Sequence, residues 1–209
     1  MIIAIDGPAA AGKGTLARKL AAQLGLPYLD TGLLYRAVGM AVLRSHGDPE
    51  DHQDAERAAW ALQPSALDDP ELRGEAAGAA ASKVASLPGV RAALLAFQRD
   101  FAERAPGAVL DGRDIGTVVC PDATVKLFIT ASLEKRADRR LNELLAAGVS
   151  AIRERVLQDM RERDARDSAR SVAPLVPAAD AVVLDTSELD ADAAFAAAVE
   201  IISQRRPAG

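Results

Sequence analysis

Short apolar runs alternate along the chain with longer stretches of helical spacing. The five runs are at residues 2–5, 26–30, 109–111, 125–130 and 181–185, and most are continuous rather than alternating, as expected for strands buried on both faces. Between them, leucines recur at intervals of four residues, as at Leu16, Leu20 and Leu24. The predicted helices cover residues 12–24, 33–43, 82–103, 132–147 and 189–205. This order predicts an α/β fold with a five-stranded parallel sheet flanked by helices.

Two stretches depart from this alternation. Residues 45–87 contain no convincing strand and carry three prolines, so we interpret them as a helical insertion. Residues 153–170 are dense in charge of both signs. Such a run is most often a solvated helix with ion pairs four residues apart, and charge alone favours that interpretation here.

Composition narrows the class of protein without identifying a function. The 209 residues suit one domain, and 49% hydrophobic with 26% charged residues is typical of a globular chain. A net charge of −5 and 3% aromatic residues argue against nucleic-acid binding. The single Cys120 excludes an internal disulfide, and Trp60 and Phe97 are expected in the core.

Nothing in the sequence indicates export or a membrane. No apolar run approaches the roughly 20 residues that span a bilayer, and the first residues lack the features of a signal peptide. We therefore expect a cytoplasmic location and no membrane partner. His46 and His52 lie in a polar, proline-bearing stretch, so we expect them to face solvent.

The strongest motif is a glycine-rich loop between the first strand and the first helix. Such a loop presents backbone N–H groups and a helix N-terminus to phosphate, and Lys13 adds a full positive charge. The predicted nucleotide-binding residues are Gly7, Pro8, Ala9, Ala10, Ala11, Gly12, Lys13, Gly14 and Thr15. Gly14 stands where a magnesium-ligating hydroxyl usually follows the lysine, and Thr15 comes one position later. We therefore expect no direct metal ligand, with Thr15 and Asp111 contacting Mg²⁺ through water.

Polar residues also follow the second and third predicted strands. Asp30-Thr31-Gly32 and Asp111-Gly112-Arg113-Asp114 lie at the carboxyl edge of the sheet, where ligands bind in such folds. An arginine beside glycine suits a phosphate group. Asp30 is equally compatible with a simple helix cap. Together with the phosphate loop, these motifs predict a second phosphorylated substrate.

With these motifs, the sequence resembles the bacterial cytidylate kinases along nearly its whole length. The matching segments are Ile5-Asp6-Gly7-Pro8 through Gly12-Lys13-Gly14-Thr15, Leu29-Asp30-Thr31-Gly32 with Tyr35-Arg36, Ala81-Ser82-Lys83-Val84-Ala85 with Val90-Arg91, residues 111–119, Arg163-Asp164 with Arg166-Asp167 and Arg170, and residues 173–181. The segments Asp111-Gly112-Arg113-Asp114 and Ala173-Pro174-Leu175 discriminate well among phosphate-loop kinases.

The resemblance implies a nucleoside-monophosphate kinase fold and transfer of the ATP γ-phosphate to CMP or dCMP with Mg²⁺. It implies one domain over residues 1–209, with a helical acceptor-binding region at about 32–105 and a short lid at about 150–172. The implied acceptor contacts are Thr31, Tyr35, Arg36, Ser82, Arg91, Arg113, Asp114, Arg163, Asp167 and Arg170. The implied catalytic residues are Lys13, Arg113, Arg163, Arg166 and Arg170. The family also leans towards monomers.

The resemblance changes the interpretation of the charged stretch, because arginines of a closing lid stabilise phosphoryl transfer. Residues 68–78 depart from the family, since many members carry a β-rich insertion there and this chain is short and helical in character. Three alternatives remain open: a kinase for AMP or shikimate, a nucleotide-binding regulator without transfer activity, and a nucleic-acid-binding protein, which has the least support.

Overall fold

A computed structural model describes residues 1–205 of the chain. Its five strands are β1 (Ile2–Asp6), β2 (Tyr28–Asp30), β3 (Ala108–Gly112), β4 (Val125–Thr130) and β5 (Val182–Asp185). They form one sheet in the order β2-β3-β1-β4-β5, and β1 pairs in parallel with both β3 and β4, as β4 does with β5. The predicted parallel sheet is confirmed, and each strand lies within two residues of its predicted bounds.

Eight α-helices lie within these described residues. They are α1 (Lys13–Leu24), α2 (Thr31–Arg44), α3 (His52–Trp60), α4 (Glu75–Val84), α5 (Pro88–Glu103), α6 (Leu133–Ala146), α7 (Arg153–Ser168) and α8 (Ala191–Arg205). Short 3₁₀ turns at Pro64–Asp68 and Pro70–Arg73 precede α4, and a π-type turn at Ile115–Val119 follows β3. The stretch 45–87 is therefore helical, as predicted.

One predicted helix is wrong. Residues 82–103 are not continuous, because α4 ends at Val84 and α5 begins at Pro88. Proline has no N–H to donate, and its ring disfavours helical geometry at the preceding residue. Ser82 consequently lies in the last turn of α4, whereas Arg91 lies in the first turn of α5.

The chain divides into two compact units. Among the described residues, the first takes in Met1–Leu29 and residues 102–205, and the second is Asp30–Phe101. In the first unit, side chains of β1, β3 and β4 pack with α1 and α8, and the contributors include Ile3, Ile5, Val109, Leu127, Ile129, Leu16, Leu20, Ala198 and Ile202. The core therefore holds the end of β1 and the start of α1 in place, which fixes the loop between them.

The second unit is built on a close approach of two helices. A Cβ atom on Gly39 of α2 would lie 2.7 Å from the Cβ of Ala80 on α4 and 2.9 Å from that residue's carbonyl carbon. Only glycine leaves room for this approach, since real Cβ atoms do not come so near. The contact places the helix that carries Thr31, Tyr35 and Arg36 beside the helix that carries Ser82.

Some expectations about single residues were right and one was wrong. His46 and His52 are exposed, as expected, and Cys120 is buried. Trp60 is 72% exposed and does not belong to the core. It follows Ala59 at the end of α3, and Ala55 and Ala59 form the buried side of that helix. Phe97 is half-buried.

The helices were also compared with the needs of a membrane span. Within residues 1–205, none combines the length and the apolar character that crossing a bilayer requires.

Candidate active site

The backbone of residues 7–15 has a positive φ at three residues, which are Gly7, Ala10 and Gly12. Gly7 has φ 145°, and a Cβ atom there would lie 1.9 Å from the carbonyl oxygen of Ile129. Gly12 has φ 92° and caps α1 through its backbone alone, and the first turn of α1 contains no acidic side chain. The partial positive charge at the N-terminus of α1 is therefore not neutralised by an acidic side chain in the first turn, and can attract an anion.

Lys13 lies inside the loop with its ammonium group turned onto the chain. Its side chain is 6% exposed, and Nζ donates a hydrogen bond to the Pro8 carbonyl at 2.7 Å. Burial lowers the pKa of Lys13 to about 7, and the positive charges of Arg113 and Arg163 act in the same direction against Asp111 and Asp6. A phosphate group in the loop would offset both effects by stabilising the ammonium form.

Side chains from elsewhere in the first unit hold the carbonyl groups of the loop. The Thr186 hydroxyl lies 3.2 Å from the Ala11 carbonyl, and Arg139 donates to the oxygens of Thr186 at 3.1 and 2.6 Å. Arg136 of α6 donates to the Ala9 carbonyl at 3.3 Å. These contacts help to fix the loop geometry. The sequence did not indicate either arginine as a site residue and placed both only within the predicted helix 132–147.

Asp6 connects the loop to the segment that follows β3. Its carboxylate is buried and accepts hydrogen bonds from the N–H groups of Ile115 and Gly116, both at 2.7 Å. Burial, helped by the negative charge of Asp114, raises the pKa of Asp6 to about 6 against these two hydrogen bonds and the positive charge of Lys13. The contact sets the position of Arg113 and Asp114, which directly precede the two donors.

Arg113 and Arg170 form an ion-pair cluster around the buried carboxylate of Asp167. The Asp167 side chain is 2% exposed, and one oxygen accepts from Arg113 Nε at 3.0 Å while the other accepts from Arg170. Burial alone would raise the pKa of Asp167, but Arg113, Arg170 and Arg163 together lower it. Three of the predicted site residues are thus in direct contact, and the lowered pKa indicates an ionised Asp167.

The charged helix α7 carries three predicted site residues. Arg163 and Asp167 are four positions apart and so lie on the same side of the helix, and Arg166 adjoins Asp167. Asp167 faces inward, whereas Arg166 is exposed. The solvated-helix interpretation therefore describes only part of α7.

The remaining predicted acceptor residues lie in the second unit. Thr31, Tyr35, Ser82 and Arg91 are buried, and the Arg91 guanidinium lies 5.4 Å from the centroid of the Tyr35 ring. Arg91 also donates to the Ala85 carbonyl at 3.1 Å. The contact between Arg91 and Tyr35 joins the start of α5 to α2.

Arg36, also in the second unit, is held by the turn before α4. Its Nη1 donates to the Leu72 carbonyl at 2.7 Å and lies 3.4 Å from that of Gly74. The predicted site residues thus form two groups. One surrounds the phosphate loop and α7 in the first unit, and the other lies on α2, α4 and α5 in the second unit.

Two oxygen-bearing residues were predicted to contact a metal through water. Asp111 lies at the carboxyl end of β3 and accepts a hydrogen bond from the Tyr28 hydroxyl at 2.7 Å. Thr15 is exposed in the first turn of α1. No three His, Cys, Asp or Glu residues within the described range form a group able to hold a metal ion.

Comparison with known proteins identifies a family and several relatives that this chain resembles. The family model described as cytidylate kinase matches residues 3–204. A cytidylate kinase from Paramagnetospirillum magneticum is 68% identical over 208 residues, which cover 98% of this chain and 99% of the relative. Another from Rhodospirillum rubrum is 62% identical and covers 98% of each chain.

A solved structure shares the fold at much lower identity. The crystal structure of an uncharacterised protein from Eubacterium ventriosum gives a TM-score of 0.55 at 17% identity, covering 98% of this chain and 99% of that one. Since the family model and the relatives extend over almost the entire length, the chain belongs to the cytidylate kinase family.

Proposed function

We propose that this protein transfers the γ-phosphate of ATP to CMP or dCMP, giving CDP or dCDP and ADP. Membership of the cytidylate kinase family supports a phosphotransferase with ATP as co-substrate. The observation that carries the proposal is the charge around the phosphate loop. Burial, and with it the nearby positive charges of Arg113 and Arg163, lowers the pKa of Lys13, and a bound polyphosphate would reverse that effect.

ATP binds at the phosphate loop in this proposal. The residues assigned to it are Gly7, Pro8, Ala9, Ala10, Ala11, Gly12, Lys13, Gly14 and Thr15. The left-handed conformation of Gly12 and the start of α1 at Lys13 support this assignment, because they direct backbone N–H groups towards a phosphate.

The transfer step depends on positive charge rather than on a general base. Phosphoryl transfer spreads negative charge over the equatorial oxygens of the moving group, and fixed cations stabilise that distribution. We assign this role to Lys13, Arg113, Arg163, Arg166 and Arg170. The contacts of Asp167 with Arg113 and Arg170 support it, since they fix two of these cations before substrate arrives.

The acceptor nucleotide is assigned to ten residues of the chain. The residues are Thr31, Tyr35, Arg36, Ser82, Arg91, Arg113, Asp114, Arg163, Asp167 and Arg170. We assign Ser82, Arg91 and Asp114 to the cytosine ring, and Asp167 with Arg163 to the sugar. We also propose one kinase domain with an acceptor-binding region at about 32–105 and a lid at about 150–172, and the helical second unit supports this division.

Mg²⁺ accompanies ATP in this proposal and screens the charge of its phosphates. The donors present fit the ion, because magnesium prefers oxygen ligands and retains several waters. Thr15 and Asp111 would contact it through water. We further propose a cytoplasmic monomer that has no nucleic-acid or membrane partner.

An ADP-release assay with MgATP tests the proposed acceptor. Initial rates are compared for CMP, dCMP, UMP, AMP and shikimate. High rates confined to CMP and dCMP are expected. Equal rates with AMP or shikimate would show that Ser82, Arg91 and Asp114 do not select cytosine, and no ADP with any acceptor would favour a regulator without transfer activity.

A further inference from the structure

A buried guanidinium joins three parts of the first unit. Arg136 of α6 is 5% exposed, and its Nε donates to the carbonyl of Ala131 at 3.0 Å. Nη1 reaches the Ala9 carbonyl in the phosphate loop at 3.3 Å. The same group binds Asp164 of α7 through two parallel contacts of 3.1 and 2.6 Å. One side chain therefore contacts the phosphate loop and the arginine-bearing helix α7 at once.

The partner of Arg136 lies among the proposed catalytic residues. Asp164 directly follows Arg163 and lies three positions before Asp167, within one turn of the helix. A helix is rigid over one turn, so holding Asp164 also fixes the direction in which Arg163 projects. The two parallel hydrogen bonds between a guanidinium and a carboxylate set orientation as well as distance.

A second ion pair joins the same two helices without reaching the loop. Arg153 Nε, at the start of α7, lies 2.6 Å from an oxygen of Asp138 on α6, and their side chains are 41% and 49% exposed. Exposed pairs of this kind contribute little to stability. The side chains of Arg136 and Asp164 are 6% and 24% exposed, so that contact is better shielded from water. The two pairs allow the effect of joining the helices to be separated from the contact with the loop.

We propose that Arg136 and Asp164 are positioning residues, which hold α7 in register with the phosphate loop for phosphoryl transfer. This inference rests on the proposed function. Arg136 acts through Asp164 and the Ala9 carbonyl, whereas Arg163 and Arg166 act on the transferred phosphate. Loss of the contact releases the orientation of α7 and reduces turnover, because misplacement of charged groups by about 1 Å is enough to slow a reaction strongly.

The test compares three conservative variants of the full chain. Asp164→Asn keeps the shape of the side chain and removes its charge, and Arg136→Lys keeps the charge and removes the paired geometry. Asp138→Asn is the matched control in the exposed pair. We expect kcat with MgATP and CMP to fall about tenfold or more in the first two variants. The KM for each substrate should change little, and the control should stay within about twofold of wild type.

A double variant adds a readout that unrelated damage to each site would not give. If the two residues act through one contact, Arg136→Lys combined with Asp164→Asn loses little more kcat than either single change. Melting temperatures identify any variant that does not fold. If Asp164→Asn fails to fold, the test rests on Arg136→Lys, in which kcat should fall while the KM for ATP changes little. A raised KM for ATP with unchanged kcat would mean that Arg136 binds the nucleotide directly, and would overturn the inference.

Three results contradict the inference or the proposal beneath it. Unchanged kcat in Asp164→Asn with a large loss in Arg136→Lys would show that Arg136 acts on the substrate directly. A kcat equal to that of the wild type in all three variants would show that the ion pair between Arg136 and Asp164 is purely structural. A wild-type protein without transfer to CMP would overturn the proposed function itself, which distinguishes that failure from the other two.

Discussion

Binding of MgATP at pH 8 is expected to draw a proton from solution, because Lys13 is mostly neutral in the free protein at that pH. Burial of its ammonium group lowers its pKa to about 7, and the positive charges of Arg113 and Arg163 contribute to that shift. The phosphates of ATP restore the charge by placing negative oxygens in the loop. The change in protonation therefore reports whether Lys13 and the nucleotide share the same site.

The size of the effect follows from the pKa. At pH 8 a group with a pKa near 7 is about one-tenth protonated, so full protonation on binding takes up about 0.9 proton. At pH 6 the same group is already about nine-tenths protonated, and the expected uptake falls to about 0.1 proton. A steep decline between these two values is the signature of Lys13.

Isothermal titration calorimetry measures this uptake directly. The binding enthalpy of MgATP, without acceptor so that no transfer occurs, is recorded in buffers of different ionisation enthalpy, and the slope gives the number of protons. Lys13→Arg is the matched control, since arginine keeps its charge and does not titrate in this range. Uptake near zero at pH 8 in the wild type would refute the argument, because Lys13 would then be charged before ATP binds.

Three further predictions concern other parts of the structure. Arg166→Ala should lower kcat about a hundredfold or more in the ADP-release assay while the circular dichroism spectrum stays unchanged, and an unaltered kcat would refute its role in transfer. Gly39→Ala should destabilise the protein by about 1–3 kcal/mol in urea unfolding, because its Cβ would lie 2.7 Å from that of Ala80; equal midpoints would contradict the close approach of α2 and α4. Burial opposes the ionisation of Asp167, but Arg113 and the other arginines hold its pKa below the ordinary value of 3.8. The ionised Asp167 therefore stabilises the folded protein fully above pH 3.8, and this stabilisation is lost as the pH falls further. Asp167→Asn should therefore flatten the acid side of a plot of melting temperature against pH, and an unchanged slope would show that Asp167 makes no such contribution.

The sheet and the phosphate loop were predictable because their signals are local. A continuous apolar run next to Gly7 marks both β1 and the turn that follows it. The break between α4 and α5 before Pro88 could also have been predicted, since proline rarely continues a helix. The predicted helix across that position gave too much weight to helical spacing and too little to this residue.

The exposure of Trp60 was harder to predict. The side of α3 that turns inward is formed by Ala55 and Ala59. The helix also contains Ala58, so the spacing of small residues alone does not give the phase of α3. Large apolar residues are usually buried, and that general expectation failed here.

The contacts that support the site are separated by long stretches of sequence. Arg136 and Ala9 are 127 residues apart, and Thr186 and Ala11 are 175 apart. No spacing rule connects such positions, because their proximity arises only when the sheet is assembled. The motifs therefore indicated the residues proposed to touch substrate, and the structure was needed to show what holds several of them in place.

The most direct test of the account follows the phosphate itself. ATP labelled at its γ-phosphate is incubated with the protein, Mg²⁺ and CMP, and the products are separated. The account predicts that the label appears in CDP in proportion to the ADP formed. Label found only in inorganic phosphate, or absent from CDP while ADP accumulates, would contradict transfer to a cytidine nucleotide.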